Sequence, residues 1–181
     1  SIDVDITVTS DDYPSATMTC TVSVSEAPLE YEIVFGTTEG TSGITDFSNT
    51  SYVIPSGVTL NNIQANIYSN TSNQAASLRF GKSGTTGSFD ATISGNYYIT
   101  SVKCNLKYYG SDSTATFAVT PSGGSAISKS LTADWADYTY DVSAAKAKTI
   151  TLGTDVNGKR AYLSGFTITY AAQKVISNIA L

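Results

Sequence analysis

The sequence predicts an all-β chain: an antiparallel jelly-roll β-sandwich preceded by a β-hairpin belonging to a second unit. Three observations predict it. Apolar and polar residues alternate with period two in one short segment after another, the pattern of strands with one buried face. Clusters of Gly, Asn, Asp, Pro and Ser separate those segments, as turns do. Hydrophobic residues make up 41% of the 181 and charged residues only 14%. Ser, Thr, Asn, Gly and Tyr fill the polar positions where helices would carry Lys and Glu.

The first strand is read from Ile2, Val4, Ile6 and Val8, alternating with Asp3, Asp5 and Thr7. Ser10-Asp11-Asp12-Tyr13-Pro14 supplies a turn. Met18, Cys20, Val22 and Val24 then alternate with Thr17, Thr19, Thr21 and Ser23, giving a second strand that pairs with the first. Two strands do not make a stable domain. Glu26-Ala27-Pro28 reads as a linker, and a new strand begins with Leu29, Tyr31, Ile33 and Phe35 on one face, which turns Glu30 and Glu32 outward.

Residues 36–51, rich in Gly, Thr and Ser without period, form a long loop. Ile63, Ala65 and Ile67 read as one strand closed by a turn at Asn70-Thr71-Ser72-Asn73. Leu78 and Phe80 share a face from which Arg79 points away, ahead of a turn at Gly81–Gly87 and a strand with Phe89, Ala91 and Ile93. The clearest strand has Val102, Cys104, Leu106 and Tyr108 on one face and Ser101, Lys103, Asn105 and Lys107 on the other. Ala115, Phe117 and Val119 continue the series, and Gly123-Gly124 turns the chain. Tyr138, Tyr140 and Val142 mark the next strand. Ser143–Lys148 alone has helix propensity, and it is too short to persist by itself. Ile150 and Leu152, a turn at Asp155-Val156-Asn157-Gly158, and a last strand with Phe166, Ile168 and Tyr170 complete the sandwich. About eight short strands without intervening helices suit a jelly roll and exclude a parallel α/β sheet.

Chemistry-bearing motifs are scarce. A net charge of −5 argues against nucleic acid, whose binding draws most of its affinity from basic patches. No apolar run approaches the length of a membrane span, so no membrane insertion is expected. There is no histidine, which removes the commonest general base and metal ligand, and a Ser, Cys or Thr nucleophile would lack its usual partner. Cys20 and Cys104 are read as two buried thiols in separate units. Two carboxylate pairs close in sequence, Asp134/Asp137 and Glu30/Glu32, could in principle serve a glycosidase, and Glu30 and Glu32 are read instead as a solvated outward face. Gly81-Lys82-Ser83-Gly84 lacks the spacing and the following helix of a phosphate loop. The chain is therefore expected not to be an enzyme.

Aromatics are the remaining lead. Trp135, Tyr97, Tyr98, Tyr109 and Tyr162 fall at strand ends or in loops, where ring faces can stack on the apolar face of a sugar; core or rim packing is the competing role. Arg79 is read as an exposed cation or a ligand clamp.

Two resemblances add to this reading. Thr7-Val8-Thr9-Ser10 with Ala16–Val24 resembles the closing hairpin of a group 2 bacterial Ig-like repeat, and Lys174–Leu181 resembles the opening strand of another. Ser77-Leu78-Arg79-Phe80-Gly81, Thr132–Tyr140 and Leu163–Ile168 resemble family 6-like carbohydrate-binding modules and related galactose-binding-like jelly rolls. They imply three parts: residues 1–26, the end of an Ig-like repeat; 29–171, the jelly roll; and 172–181, a linker and the first strand of a following repeat. The whole would be a piece of a longer tandem-domain bacterial protein, extracellular or on the cell surface, or else of a phage virion. The resemblance also implies a structural calcium between an early Glu, here Glu30 or Glu32, and an Asp on the last strand, where this sequence has Ser164 and Gly165.

Three functions follow as expectations. One is a non-catalytic adhesion module directed at a glycan. Another is a spacer or assembly unit whose partner is a neighbouring subunit, joined through strand exchange or tandem-domain contacts. The third is an accessory domain of an extracellular hydrolase.

Overall fold

Alternation, turn chemistry and strand edges together explain how the chain is laid out. The computed structural model describes residues 2–10, 13–24, 29–36, 43–64, 66–69, 76–82, 84–157 and 159–173, with the backbone alone for 2–24. The linker at 26–28, the turn at 70–73 and the strand expected at 174–181 lie outside the described residues, as do parts of the loop 36–51 and of the turns at 10–14, 81–87 and 155–158.

The expected hairpin is present. β1 (Ile2–Ser10) and β2 (Tyr13–Val24) pair antiparallel, with Ile2 opposite Val24 and Ile6 opposite Cys20, in a sheet of their own. There follow β3 (Leu29–Val34), β4 (Val58–Gln64), β5 (Ile67–Ser69), β6 (Leu78–Phe80), β7 (Ser88–Ile93) and β8 (Tyr97–Tyr108). The chain continues through β9 (Thr116–Pro121), β10 (Ile127–Ser130), β11 (Ala136–Asp141), β12 (Thr149–Thr154) and β13 (Ala161–Ala172).

Strands β3 to β13 form two antiparallel sheets. One has the order β10-β9-β12-β7-β4. The other has the order β11-β8-β13-β6-β5, and β3 shares the free edge of β13 with β6. From β7 onward the chain crosses between the sheets at every connection except the β9–β10 hairpin. The rows β3-β13-β8-β11 and β7-β12-β9-β10 are the eight strands of a double-sheet jelly roll. β4, β5 and β6 extend it at the edges.

The inward faces make one core. Val102, Cys104 and Leu106 of β8 and Leu163, Phe166 and Ile168 of β13 meet Phe89, Ala91 and Ile93 of β7, Phe117 and Val119 of β9, and Ile150 and Leu152 of β12. Rings lock the layers in edge-on packing: Phe80 and Phe117 lie 5.1 Å apart at 83°. Tyr140 of β11 is fully buried and donates its hydroxyl across the core to the Phe117 carbonyl at 3.1 Å.

The structure corrects one strand. Ile63 lies in β4 and Ile67 in β5, so the two do not share a strand; Ala65 is outside the described residues. Asn62 (φ 55) forms a bulge in β4, and Asn66 (φ 65) turns the chain from the five-stranded sheet into the six-stranded one. Asn is among the few L residues that tolerate this left-handed region. The segment with helix propensity keeps only a 3-10 turn, Ser143–Ala145, closed by Lys146 at φ 51. The Gly81 segment is a tight turn in which Lys82 pairs with Thr85.

Candidate functional site

Register on the six-stranded sheet assembles a patch from residues far apart in sequence. On its outer face Tyr68 of β5 lies opposite Arg79 of β6, Arg79 opposite Tyr162 of β13, and Tyr162 opposite Lys107 of β8. Trp135 immediately precedes the Ala136–Leu106 pair, and its ring centroid stands 5.4 Å from Lys107 Nζ. The row therefore alternates aromatic, cation, aromatic, cation, aromatic. The Arg79 guanidinium lies 4.3 Å from the Tyr68 centroid and 5.6 Å from that of Tyr109, which follows β8. Lys107 Nζ is 5.7 Å from Tyr162, whose ring packs 5.3 Å from Tyr109 and 6.3 Å from Trp135. Cation–π attraction at these separations fixes long side chains that would otherwise sweep through solvent.

A second arginine closes one end. Arg160 lies 3.9 Å above the Tyr109 ring and donates its Nε–H to Asp112 Oδ2 at 2.8 Å; its backbone N–H donates to the same oxygen at 3.1 Å. Burial disfavours the charge of Asp112, yet the hydrogen bonds and charge of Arg160, with Lys159 beyond, hold its carboxyl below the ordinary value. This is the only ion pair among the described residues. Among the described residues Arg79 and Lys107 thus have no carboxylate in ion-pair contact, and Arg79 Nε is buried without a hydrogen-bond partner. Burial first, then the neighbouring Tyr109, pushes the Tyr162 phenol up.

The patch gathers the chain's single tryptophan and both its arginines. Of the residues singled out in the sequence, Trp135, Tyr109, Tyr162 and Arg79 come together. Trp135 and Tyr109 are half-buried and keep ring surface open, whereas Tyr162, 6% exposed, is the floor beneath them.

No family model matches the chain, and no curated protein matches it. Solved structures do resemble it. A family two carbohydrate esterase from Cellvibrio japonicus aligns over 82% of this chain with 11% identity and a TM-score of 0.46, and the chain spans 37% of that protein's length. A mutant of CBM29-2, a family 29 carbohydrate binding module, aligns over 77% of this chain and 91% of its own, at 12% identity and TM-score 0.45. The CBM22-1–GH10 modules of Clostridium thermocellum endo-1,4-beta-D-xylanase 10B, solved with xylohexaose, align over 83% of this chain and 30% of theirs, at 16% identity and TM-score 0.44. The jelly-roll fold is carried by the strand order itself.

Beside the aromatic row the same face opens into a hollow floored by a break in β13. The register of β13 with β8 slips between Leu163 and Gly165, and the freed Ser164 hydroxyl donates to Asn105 Oδ1 at 2.7 Å. Asn105 Nδ2 in turn donates to Asp137 Oδ1 at 2.8 Å. Glu32 and Lys103 stand at the far side. Around this network Glu32, Lys103 and Asp137 are exposed and keep donors and acceptors open to solvent.

The other candidates lie elsewhere. Tyr97 packs edge-on against Tyr170 at 5.2 Å, and Tyr98 carries the Lys146 ammonium 4.0 Å from its centroid, both toward the opposite end of β8. Glu30 and Glu32 are exposed on β3, as their alternation requires; Glu30 accepts from Thr169 at 3.4 Å. Among the described residues no group of three or more Asp, Glu, Cys or His converges on a point where a metal would sit. Asp134 is exposed, and Asp137 is held by Asn105.

Sequence reasoning missed Tyr68, Lys107, Arg160 and Asp112 as members of the site. Lys107 carried a signal, since it faces outward beside Leu106. The others depend on which strands become neighbours. The outer face of the second sheet provides a contrast: outward residues of β7, β9, β10 and β12 are Ser, Thr, Asp, Ala and Gly, with no aromatic among them.

Proposed function

We propose that the chain is a non-catalytic glycan-binding module of an extracellular protein, and that it binds through the outer face of the six-stranded sheet. The supporting observation is the convergence of Trp135, Tyr109 and Tyr68 with Arg79 and Lys107 beside the polar hollow of Asn105, Asp137 and Lys103. An open ring face takes the apolar face of a pyranose, while fixed amide, carboxylate and cationic groups take its hydroxyls. Trp135 is the platform, Tyr109 its neighbour, and Tyr162 the support that sets their height.

Binding to a polysaccharide panel by affinity electrophoresis tests this. Trp135→Ala is expected to abolish retardation, and Tyr98→Ala, at the opposite end of β8, to leave it unchanged. Equal retardation of Trp135→Ala and the native chain would remove the assignment.

A spacer or assembly unit is the second reading, favoured by the β1–β2 hairpin with its separate sheet. It predicts that a chain extended in both directions forms rods or oligomers in the absence of any glycan.

A further inference from the structure

The charge of the aromatic row points to a ligand class, an inference that rests on the glycan-binding reading. We propose that the saccharide held on this face is acidic, a polyuronate whose ring carboxylates meet Arg79 and Lys107.

Three features carry it. First, Arg79, Lys107 and Arg160 gather around the rings on a chain whose net charge is −5, and among the described residues Asp112 is the one carboxylate in ion-pair contact with any of them, Asp137 and Glu32 lying in the adjoining hollow. Positive charge is concentrated where the rings are. Second, the cations differ in their commitments. Arg160 is taken up by Asp112, whereas among the described residues Arg79 and Lys107 have no carboxylate in ion-pair contact. A neutral sugar laid over the row would strip water from both without replacing it, which is costly for an unpaired charge. A carboxylate supplies what is missing, since it matches the planar fork of a guanidinium and pairs with an ammonium as a point charge.

Third, the spacing suits a chain of sugars. Arg79 and Lys107 flank Tyr162 on either side in register, so their strands are two sheet spacings apart, about 9.6 Å. That is roughly the length of two pyranose rings in an extended chain, so carboxylates on alternate rings reach both cations while an intervening ring lies across the Tyr162 position. The Asn105–Asp137 side of the face then meets ring hydroxyls. An acidic peptide offers carboxylates but no such array of hydroxyls.

The test compares alginate and polygalacturonate with the same polymers after carboxyl reduction, and with polyglutamate, by isothermal titration at low and high sodium chloride. Polyuronate is expected to bind about tenfold tighter than its reduced form at low salt, an advantage that shrinks as screening increases. The Arg79→Gln/Lys107→Gln double variant is expected to bind polyuronate no better than the native chain binds the reduced polymer. Should the reduced polymers or another neutral glycan bind as tightly as polyuronate, without salt dependence, the acidic assignment falls while the glycan-binding reading stands. Polyglutamate binding as tightly as polyuronate overturns the saccharide assignment. Absence of binding to every polymer removes both.

Discussion

Arg160 and Asp112 are joined twice, by the guanidinium Nε–H at 2.8 Å and by the backbone N–H at 3.1 Å, both onto one carboxylate oxygen. The pair ties the turn after β8 to the start of β13, and it holds the guanidinium over Tyr109. Asp112 is 8% exposed, so its charge depends on this contact. Asp112→Asn keeps an acceptor and removes the charge, and is expected to lower stability by about 1–2 kcal/mol in urea denaturation.

The same pair gives stability a pH dependence. The carboxyl titrates below its ordinary value in the folded chain, because Arg160 stabilises the ionised form. The unfolded chain therefore takes up its proton first, at a pH of about 3.9, while the folded chain does not. The contribution of Asp112 is complete above that pH and is lost as pH falls through the lower folded value. The difference in unfolding free energy between the native chain and Asp112→Asn should be constant near neutrality and shrink below about pH 4. A difference that grows on acidification would contradict this account.

Gly165 marks the slip in β13, where β3 comes closest. A Cβ at this position would lie 2.6 Å from the Ile33 carbonyl oxygen, a backbone atom that cannot swing aside. Gly165→Ala should push β3 from the edge of β13 and cost about 1–3 kcal/mol, read as a lower melting temperature. Gly110→Ala is the informative companion, since nothing lies within 4 Å and only its φ of 55° resists the side chain. A larger loss there than at Gly165 would show that conformation, not contact, dominates.

Tyr140 joins the two sheets through its hydrogen bond to Phe117. Burial pushes its phenol far up, so the hydroxyl stays protonated and donates throughout the range in which the fold persists. Tyr140→Phe keeps the ring and deletes the donor. The expected loss is about 1 kcal/mol, independent of pH between neutrality and mild alkali, by denaturant titration.

Cys104 lies wholly inside the sandwich, where burial, with the Asp137 charge adding to it, pushes the thiol up. A thiol so held presents almost no thiolate. Peptide mapping after iodoacetamide treatment should find Cys104 unmodified in the native chain and fully modified in denaturant. Modification of the folded chain on a timescale of minutes would mean that β8 opens locally.

Legibility followed the range of the interactions. The alternation from Ser101 to Tyr108 disclosed both faces of β8, because a half-buried strand writes its burial into every second residue. β10 was absent from the sequence reading: Ile127 is its one apolar residue, and an edge strand with Lys129 has little to bury. The break between β4 and β5 was hidden because two asparagines, Asn62 and Asn66, bend the chain within a stretch whose apolar spacing still looks continuous. The site divides in the same way. Trp135, Tyr109, Tyr162 and Arg79 could be named from residue type and local alternation. That Tyr68 would sit over Arg79, and Arg160 over Tyr109, depends on β5 joining β6 and on β6 sharing an edge of β13 with β3. No local pattern encodes those neighbours.

The placement of Trp135 has an optical consequence. The only indole of the chain stands on the outer face with Lys107 above its ring, while the core is lined by phenylalanine, tyrosine and aliphatic side chains. Tryptophan emission therefore reports on the patch and not on the interior. A ligand seated there would shift the emission without any change of fold, and a thermal melt followed by that signal would record the loosening of one sheet face, which need not coincide with loss of the core seen by circular dichroism.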